Sequence, residues 1–98
     1  MKAMISQPMR GKTNEEIRAR RKNIVNKIKK SGFEFIDTLF DFKNKPAVFY
    51  LAKSIEAMSE ADVVIFTPDW EQARGCRIEF EIAKAYGKQI IILPSRSE

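Results

Sequence analysis

Apolar residues recur along this chain at two alternating periods, two and roughly 3.6, and each switch between them marks an element boundary. Lys2–Gln7 reads as a first strand. Thr13 and Glu16 then stand at capping-box spacing, and Ile17, Ile24, Val25 and Ile28 give the inner face of a helix ending at Gly32. Phe33–Asp37 alternates apolar and polar, as a second strand does, and a loop holding Phe40 and Phe42 follows. Pro46 suits the first turn of a second helix whose inward stripe is Ala47, Val48, Leu51, Ile55 and Met58. Asp62–Thr67 is a third strand, Arg74–Tyr86 a third helix closed by Gly87, and Gln89–Leu93 an apolar fourth strand before Pro94. This alternation, with near-continuous apolar later strands, predicts a parallel sheet covered on both faces. Right-handed crossovers then give a small doubly wound α/β fold, Rossmann- or flavodoxin-like, with four strands in the order 2-1-3-4. Its switch point falls between strands one and three. No linker, repeat or low-complexity segment interrupts it, so residues 1–98 are expected to form a single domain.

The third helix carries an anomaly. Gly75, Ile78, Ile82, Ala83 and Tyr86 form its apolar stripe, while Arg74, Arg77, Glu81, Lys84 and Lys88 form the polar one. Glu79 falls in the apolar stripe. A buried carboxylate is costly unless hydrogen bonds satisfy it or it lines a cavity, and ligands of open α/β sheets bind near this end of such a helix. Glu79 is therefore a candidate functional residue. A helix-edge glutamate reaching solvent fits the pattern equally well.

Composition narrows the chemistry. Histidine is absent, which removes Ser–His–Asp and Cys–His catalysis and argues against a zinc site; no metal and no cofactor is expected. The lone Cys76 excludes an internal disulfide and fits a reducing cytoplasm. No apolar run is long enough to span a membrane, and Met1–Ile5 turns polar too soon for a signal peptide. The net charge of +5 is uneven: residues 1–53 hold 13 Lys/Arg against 5 Asp/Glu, and residues 54–98 hold 5 against 8. Much of the excess is Arg18, Arg20, Arg21, Lys22, Lys27, Lys29 and Lys30 on the first helix. These charges point around most of the helix, and no aromatic residue is interleaved to stack bases. A solvated helix face is expected rather than a nucleic-acid surface.

The loops at the switch point are Gln7–Lys12 and Pro68–Ala73. Gly11-Lys12-Thr13 invites a P-loop reading, but a Walker A loop needs glycine five residues before Gly11, where Ser6 stands. A weaker site remains, in which Arg10, Gly11 and the free N–H groups of a helix start hold a phosphate; a turn glycine beside a solvated arginine is the equal alternative. Trp70 either stacks on a base or caps the core. Cys76 lies near a helix start without a base partner and reads as inert packing.

On these residues the chain resembles the nucleoside 2-deoxyribosyltransferase-like superfamily, in particular its small uncharacterised bacterial and phage members. The matching segments are Ile5-Ser6-Gln7-Pro8-Met9-Arg10-Gly11, Ala61-Asp62-Val63-Val64-Ile65-Phe66 and Trp70-Glu71-Gln72-Ala73-Arg74-Gly75-Cys76-Arg77-Ile78-Glu79, and the likeness continues to the last strand. The resemblance implies that Glu79 is the nucleophile attacking C1′ of a deoxyribonucleoside. It also implies that Arg10 and Gly11 bind a phosphate, in a crevice lined by Ser6, Gln7, Pro8, Met9, Trp70, Arg74 and Gly75. Such a carboxylate stabilises or captures the oxocarbenium character that develops as an N-glycosidic bond breaks. Two departures weaken the catalytic set. The family aspartate that assists the leaving base is here Ser54, and a serine of the phosphohydrolase members is here Pro8. The expected partner is a small-molecule nucleoside or nucleotide, and the expected activity is N-glycosidic cleavage or transfer with Glu79 and Ser54 in catalytic positions. The alternative is a catalytically silent binder that sequesters a cyclic or ADP-ribose-type signal, as a phage counter-defence protein does. Related enzymes complete their crevice with a neighbouring subunit, and Phe40, Phe42, Phe49 and Tyr50 are much aromatic surface for a small monomer, so a homo-oligomer is expected.

Overall fold

A computed structural model describes residues 1–38 and 45–95 of the chain. Strands β1 (Lys2–Ser6), β2 (Glu34–Ile36), β3 (Val63–Phe66) and β4 (Gln89–Ile92) alternate with helices α1 (Asn14–Ile28), α2 (Ala47–Met58) and α3 (Arg74–Ala85). All strand pairs are parallel and the order is β2-β1-β3-β4, as the alternation predicts. The elements are a residue or two shorter than the sequence periods suggest, because strand pairing stops where the chain turns toward each helix. Phe40 and Phe42 lie outside the described residues.

The period-two alternation of the strands divides the core. Ala3, Ile5, Val63 and Ile65 point to one face and pack with Ile24 of α1; Met4, Val64 and Phe66 point to the other and pack with Met58 of α2 and Ala83 of α3. Fully burying an apolar side chain such as Phe66 or Met58 stabilises the fold by about 1.5–3 kcal/mol. Ser6 follows Met4 by two residues, so the same alternation aims it at the α2/α3 face. That placement brings Ser6 under α3, where Glu79 sits.

Helix α1 starts as its capping box predicts: Thr13 Oγ1 accepts from the Glu16 N–H at 3.1 Å, and Glu16 Oε1 accepts from the Thr13 N–H at 2.8 Å. It ends through a short 3₁₀ turn at Gly32, whose φ of 83° is left-handed and suits glycine. On α2, Ser54 and Met58 are buried and Leu51 and Ile55 half-buried, but Ala47 and Val48 are exposed rather than inward. The 12-residue helix is about 18 Å long and the four-residue β3 about 13 Å, so the first turn overhangs the sheet. Pro46 sits at the N-cap, one position before the helix. On α3 the buried positions are Cys76, Glu79 and Ala83, whereas Ile78 is 37% and Tyr86 78% exposed. The buried stripe is thus rotated by about one residue from the predicted one, toward Glu79. Sheet coverage also thins at the β4 edge, where Ile92 is 49% exposed.

Candidate functional site

Glu79 lies in the second turn of α3, over the carboxyl end of β1. It is 7% exposed, and Ser6 Oγ donates to its Oε1 at 2.5 Å. The buried Ser54 hydroxyl of α2 lies near enough to favour the charged form of the same carboxylate. Three elements therefore meet on one acid. Burial pushes its pKa above the usual carboxylate range, and the hydroxyls of Ser6 and Ser54 and the charge of Arg21 oppose that rise. Cys76, three residues earlier on the same face, is buried and its thiol is pushed up to about 11, chiefly by burial. It stays protonated at neutral pH and is no nucleophile there.

A second layer surrounds this acid. Gln7 follows Ser6, is buried, accepts from Arg21 Nε at 3.0 Å through Oε1 and donates through Nε2 to the Ile17 carbonyl at 3.4 Å. Arg20 holds Asp69 with two parallel bonds of 3.0 and 2.9 Å, and Thr67 Oγ1 donates to Asp69 Oδ1 at 2.7 Å. This fork-to-fork pair ties α1 to the loop between β3 and α3, and with Thr67 it keeps the Asp69 carboxyl below the usual range. Asp69 is an anion at the crevice, not an acid able to give up a proton.

The match that decides the family spans β1 to β4: residues 1–92 fit the family described as domain of unknown function DUF4406. The chain belongs to that family. No curated protein and no solved structure matches it significantly.

Within this DUF4406 domain the sequence-predicted residues divide into two groups. Ser6, Gln7, Ser54 and Glu79 are all buried, but Ser6 meets Glu79 under α3 whereas Gln7 turns to Arg21 and Ile17 of α1. Pro8 and Met9 are half-buried, and Arg10 and Gly11 are exposed in the loop that follows. Gly11 has φ 78°, and the Lys12 N–H closes the turn on the Met9 carbonyl at 3.1 Å. The start of α1 offers an anion less than expected. Thr13 caps the Glu16 N–H, and Glu16 adds a carboxylate held below its usual range by the Thr13 backbone N–H. Of the expected anion-binding groups the loop leaves Arg10 and Gly11 exposed, without the helix terminus. Trp70 stacks on Phe80 with centroids 4.4 Å apart and planes 15° apart, and both rings lie against Phe66. Arg74 is exposed at the start of α3. Gly75 is not forced by packing, since a Cβ there would meet Leu51 Cδ1 at an ordinary 3.9 Å.

Sequence reasoning missed Arg20, Arg21 and Asp69. The expectation of a solvated basic face on α1 is wrong for the two arginines: Arg20 is spent on Asp69, and the Arg21 side chain is only 12% exposed. The signal was present for Arg21, which falls in the stripe Ile17, Arg21, Ile24, Val25, Ile28 as Glu79 falls in that of α3. For Arg20 there was none, because its partner is 49 residues away.

Proposed function

We propose that this domain binds a nucleoside or nucleotide at the switch-point crevice and breaks its N-glycosidic bond with Glu79 as nucleophile. The observation that carries the reading is the Glu79 carboxylate, buried at the carboxyl end of β1 and fixed by Ser6 at 2.5 Å. The resemblance to the nucleoside 2-deoxyribosyltransferase-like superfamily agrees with it. In the reaction a Glu79 oxygen forms a bond to C1′ as the C1′–N bond breaks, and the electron pair leaves with the base, which takes a proton from water. Water, or a second base in a transfer, then opens the glycosyl ester and frees Glu79. Ser6 and Ser54 orient the nucleophile, and Arg10 with Gly11 receives a phosphate where the ligand has one. The working unit is a homo-oligomer, which the exposed Val48 and Ile78 beside Gly75 support.

A second reading is a binder that sequesters a cyclic or ADP-ribose-type nucleotide without cleaving it. Ser54 favours it, because a hydroxyl beside Glu79 is a poor acid for the departing base. Incubation of wild type and Glu79→Gln with deoxynucleosides, their monophosphates and nicotinamide-derived dinucleotides, with free base followed by chromatography, separates the two. Glycosidic chemistry gives base release that Glu79→Gln abolishes while ligand affinity persists. A silent binder gives no release from any compound. Release at the same rate by both proteins would remove Glu79 from either role.

A further inference from the structure

A groove of about 330 Å³ opens beside α1, on the face of the sheet opposite Glu79. Its floor is Ile5, Val25 and Phe35, and its walls carry Arg18, Arg21 and Lys22 of α1 with Asp37 beyond the end of β2. Three cations face one carboxylate around an apolar floor. Ile5 and Ser6 point to opposite faces of β1, so this groove is separate from the crevice described above.

Arg21 is the unusual member. Its Nε is satisfied by Gln7 Oε1, but Nη1 and Nη2 are both buried and form no hydrogen bond among the described residues. Asp37 Oδ1 stands 3.5 Å from Nη1, close enough for attraction and too far for a good hydrogen bond. A guanidinium carries five N–H donors, and buried donors in native proteins almost always find an acceptor, an ordered water or an ion. Burial lowers the Arg21 pKa, opposed first by the charge of Asp37, and the group stays cationic in a place that disfavours charge.

We propose that this groove is a binding site for a small molecule carrying an oxyanion, phosphate or carboxylate, on a flat apolar body. The oxyanion takes the two Nη groups of Arg21 in bidentate fashion and replaces Asp37, whose side chain is 71% exposed and turns to solvent. The apolar body lies on Ile5, Val25 and Phe35, and Lys22 and Arg18 add attraction at the mouth. The volume matches the small end of ligand pockets, enough for one ring system and its anionic group. This site neither uses Glu79 nor depends on the N-glycoside reading.

The test uses phenyl phosphate, benzoate, orthophosphate and phenol as probes, in calorimetry and amide NMR titrations of the full chain. Phenyl phosphate and benzoate should bind, orthophosphate about tenfold more weakly than phenyl phosphate, and phenol not at all. Lys22→Glu should weaken phenyl phosphate by about tenfold through loss and reversal of one nearby charge. Asp37→Asn should strengthen it several-fold, because the competing carboxylate is gone. A purely structural Arg21–Asp37 pair predicts the reverse. Both positions are exposed, so these variants keep the fold even if Arg21→Gln does not. Arg10→Ala should leave the affinity unchanged, and the amide shifts should cluster at Val25, Phe35 and Asp37. Absence of binding at millimolar probe, weakening by Asp37→Asn, or shifts confined to Arg10 and Gly11 would overturn the proposal.

Discussion

Ser6→Ala removes the hydroxyl that donates to Glu79 and almost nothing else, which makes it the sharpest probe of the buried acid. The bond is 2.5 Å long and buried at both ends, within the short range expected of a hydroxyl donating to an ionised carboxylate. A hydrogen bond to a charged group contributes about 1.5–3 kcal/mol, and one between neutral groups about 0.5–1.5 kcal/mol. Burial raises the Glu79 pKa above its unfolded value, so ionising this group opposes folding. Its favourable contribution is complete below the unfolded carboxylate range and is lost as pH rises through the native pKa. Ser6 is one of the groups that hold that pKa down, so the variant carries it higher and the loss continues to higher pH. The stability gap between wild type and Ser6→Ala should therefore be about 1 kcal/mol near pH 4 and widen to about 2 kcal/mol near pH 8–9. For a domain of this length the wider gap lowers Tm by roughly 10 °C. The nearby Cys76 thiol, with a pKa of about 11, is neutral at both pH values and adds only a constant. Urea melts across that pH range read the gap directly. A loss of equal size at both ends would show that the hydroxyl does not meet a charged carboxylate, and the electrostatic account of the site would fail with it. Where base release is measurable, its acid limb should move to higher pH in Ser6→Ala.

Three other perturbations test separate parts of the structure. Arg10→Ala should weaken a phosphorylated ligand by about 1.5–3 kcal/mol in calorimetry and leave the matching nucleoside nearly unaffected; equal losses would make Arg10 structural. Trp70→Ala should destabilise the fold by about 3 kcal/mol in urea, because the indole packs on Phe66 and Phe80, and a loss under 1 kcal/mol would mean that the stack is dispensable. Light scattering at high micromolar concentration should give the mass of a dimer or larger assembly, and Val48→Glu should shift it toward the monomer, since Val48 is 68% exposed on the overhanging turn of α2. A wild-type monomer at that concentration would count against assembly.

The fold was legible because its signals are local and repeat. Each strand alternates, each helix carries its stripe, and Thr13, Glu16, Gly32 and Gly87 punctuate them, so the order 2-1-3-4 follows from the element sequence and crossover handedness. The central acid was legible for a different reason. A carboxylate in an apolar stripe is a local contradiction, and burial of Glu79 between Ser6 and Ser54 is how the fold resolves it. What remained hidden depends on pairs distant in sequence and on the ends of helices. Nothing near Arg20 points to Asp69, and nothing in the α2 pattern tells that its first turn overhangs a short strand and leaves Val48 bare.

Arg21 shows how far the same logic extends. It breaks the α1 stripe as Glu79 breaks that of α3, and the two contradictions meet through Gln7 and Ser6, consecutive residues at the end of β1. Because successive residues of a strand point to opposite faces, one short segment holds a buried anion on one side of the sheet and a buried cation on the other. Each draws some stability from the other's charge, yet neither is fully matched: Glu79 keeps a raised pKa, and Arg21 keeps two amino groups without acceptors among the described residues. A fold optimised for stability alone would place leucines at both positions. Two such charges in a chain of 98 residues weigh heavily against its marginal stability, and a ligand bound at either proposed site would offset part of that cost.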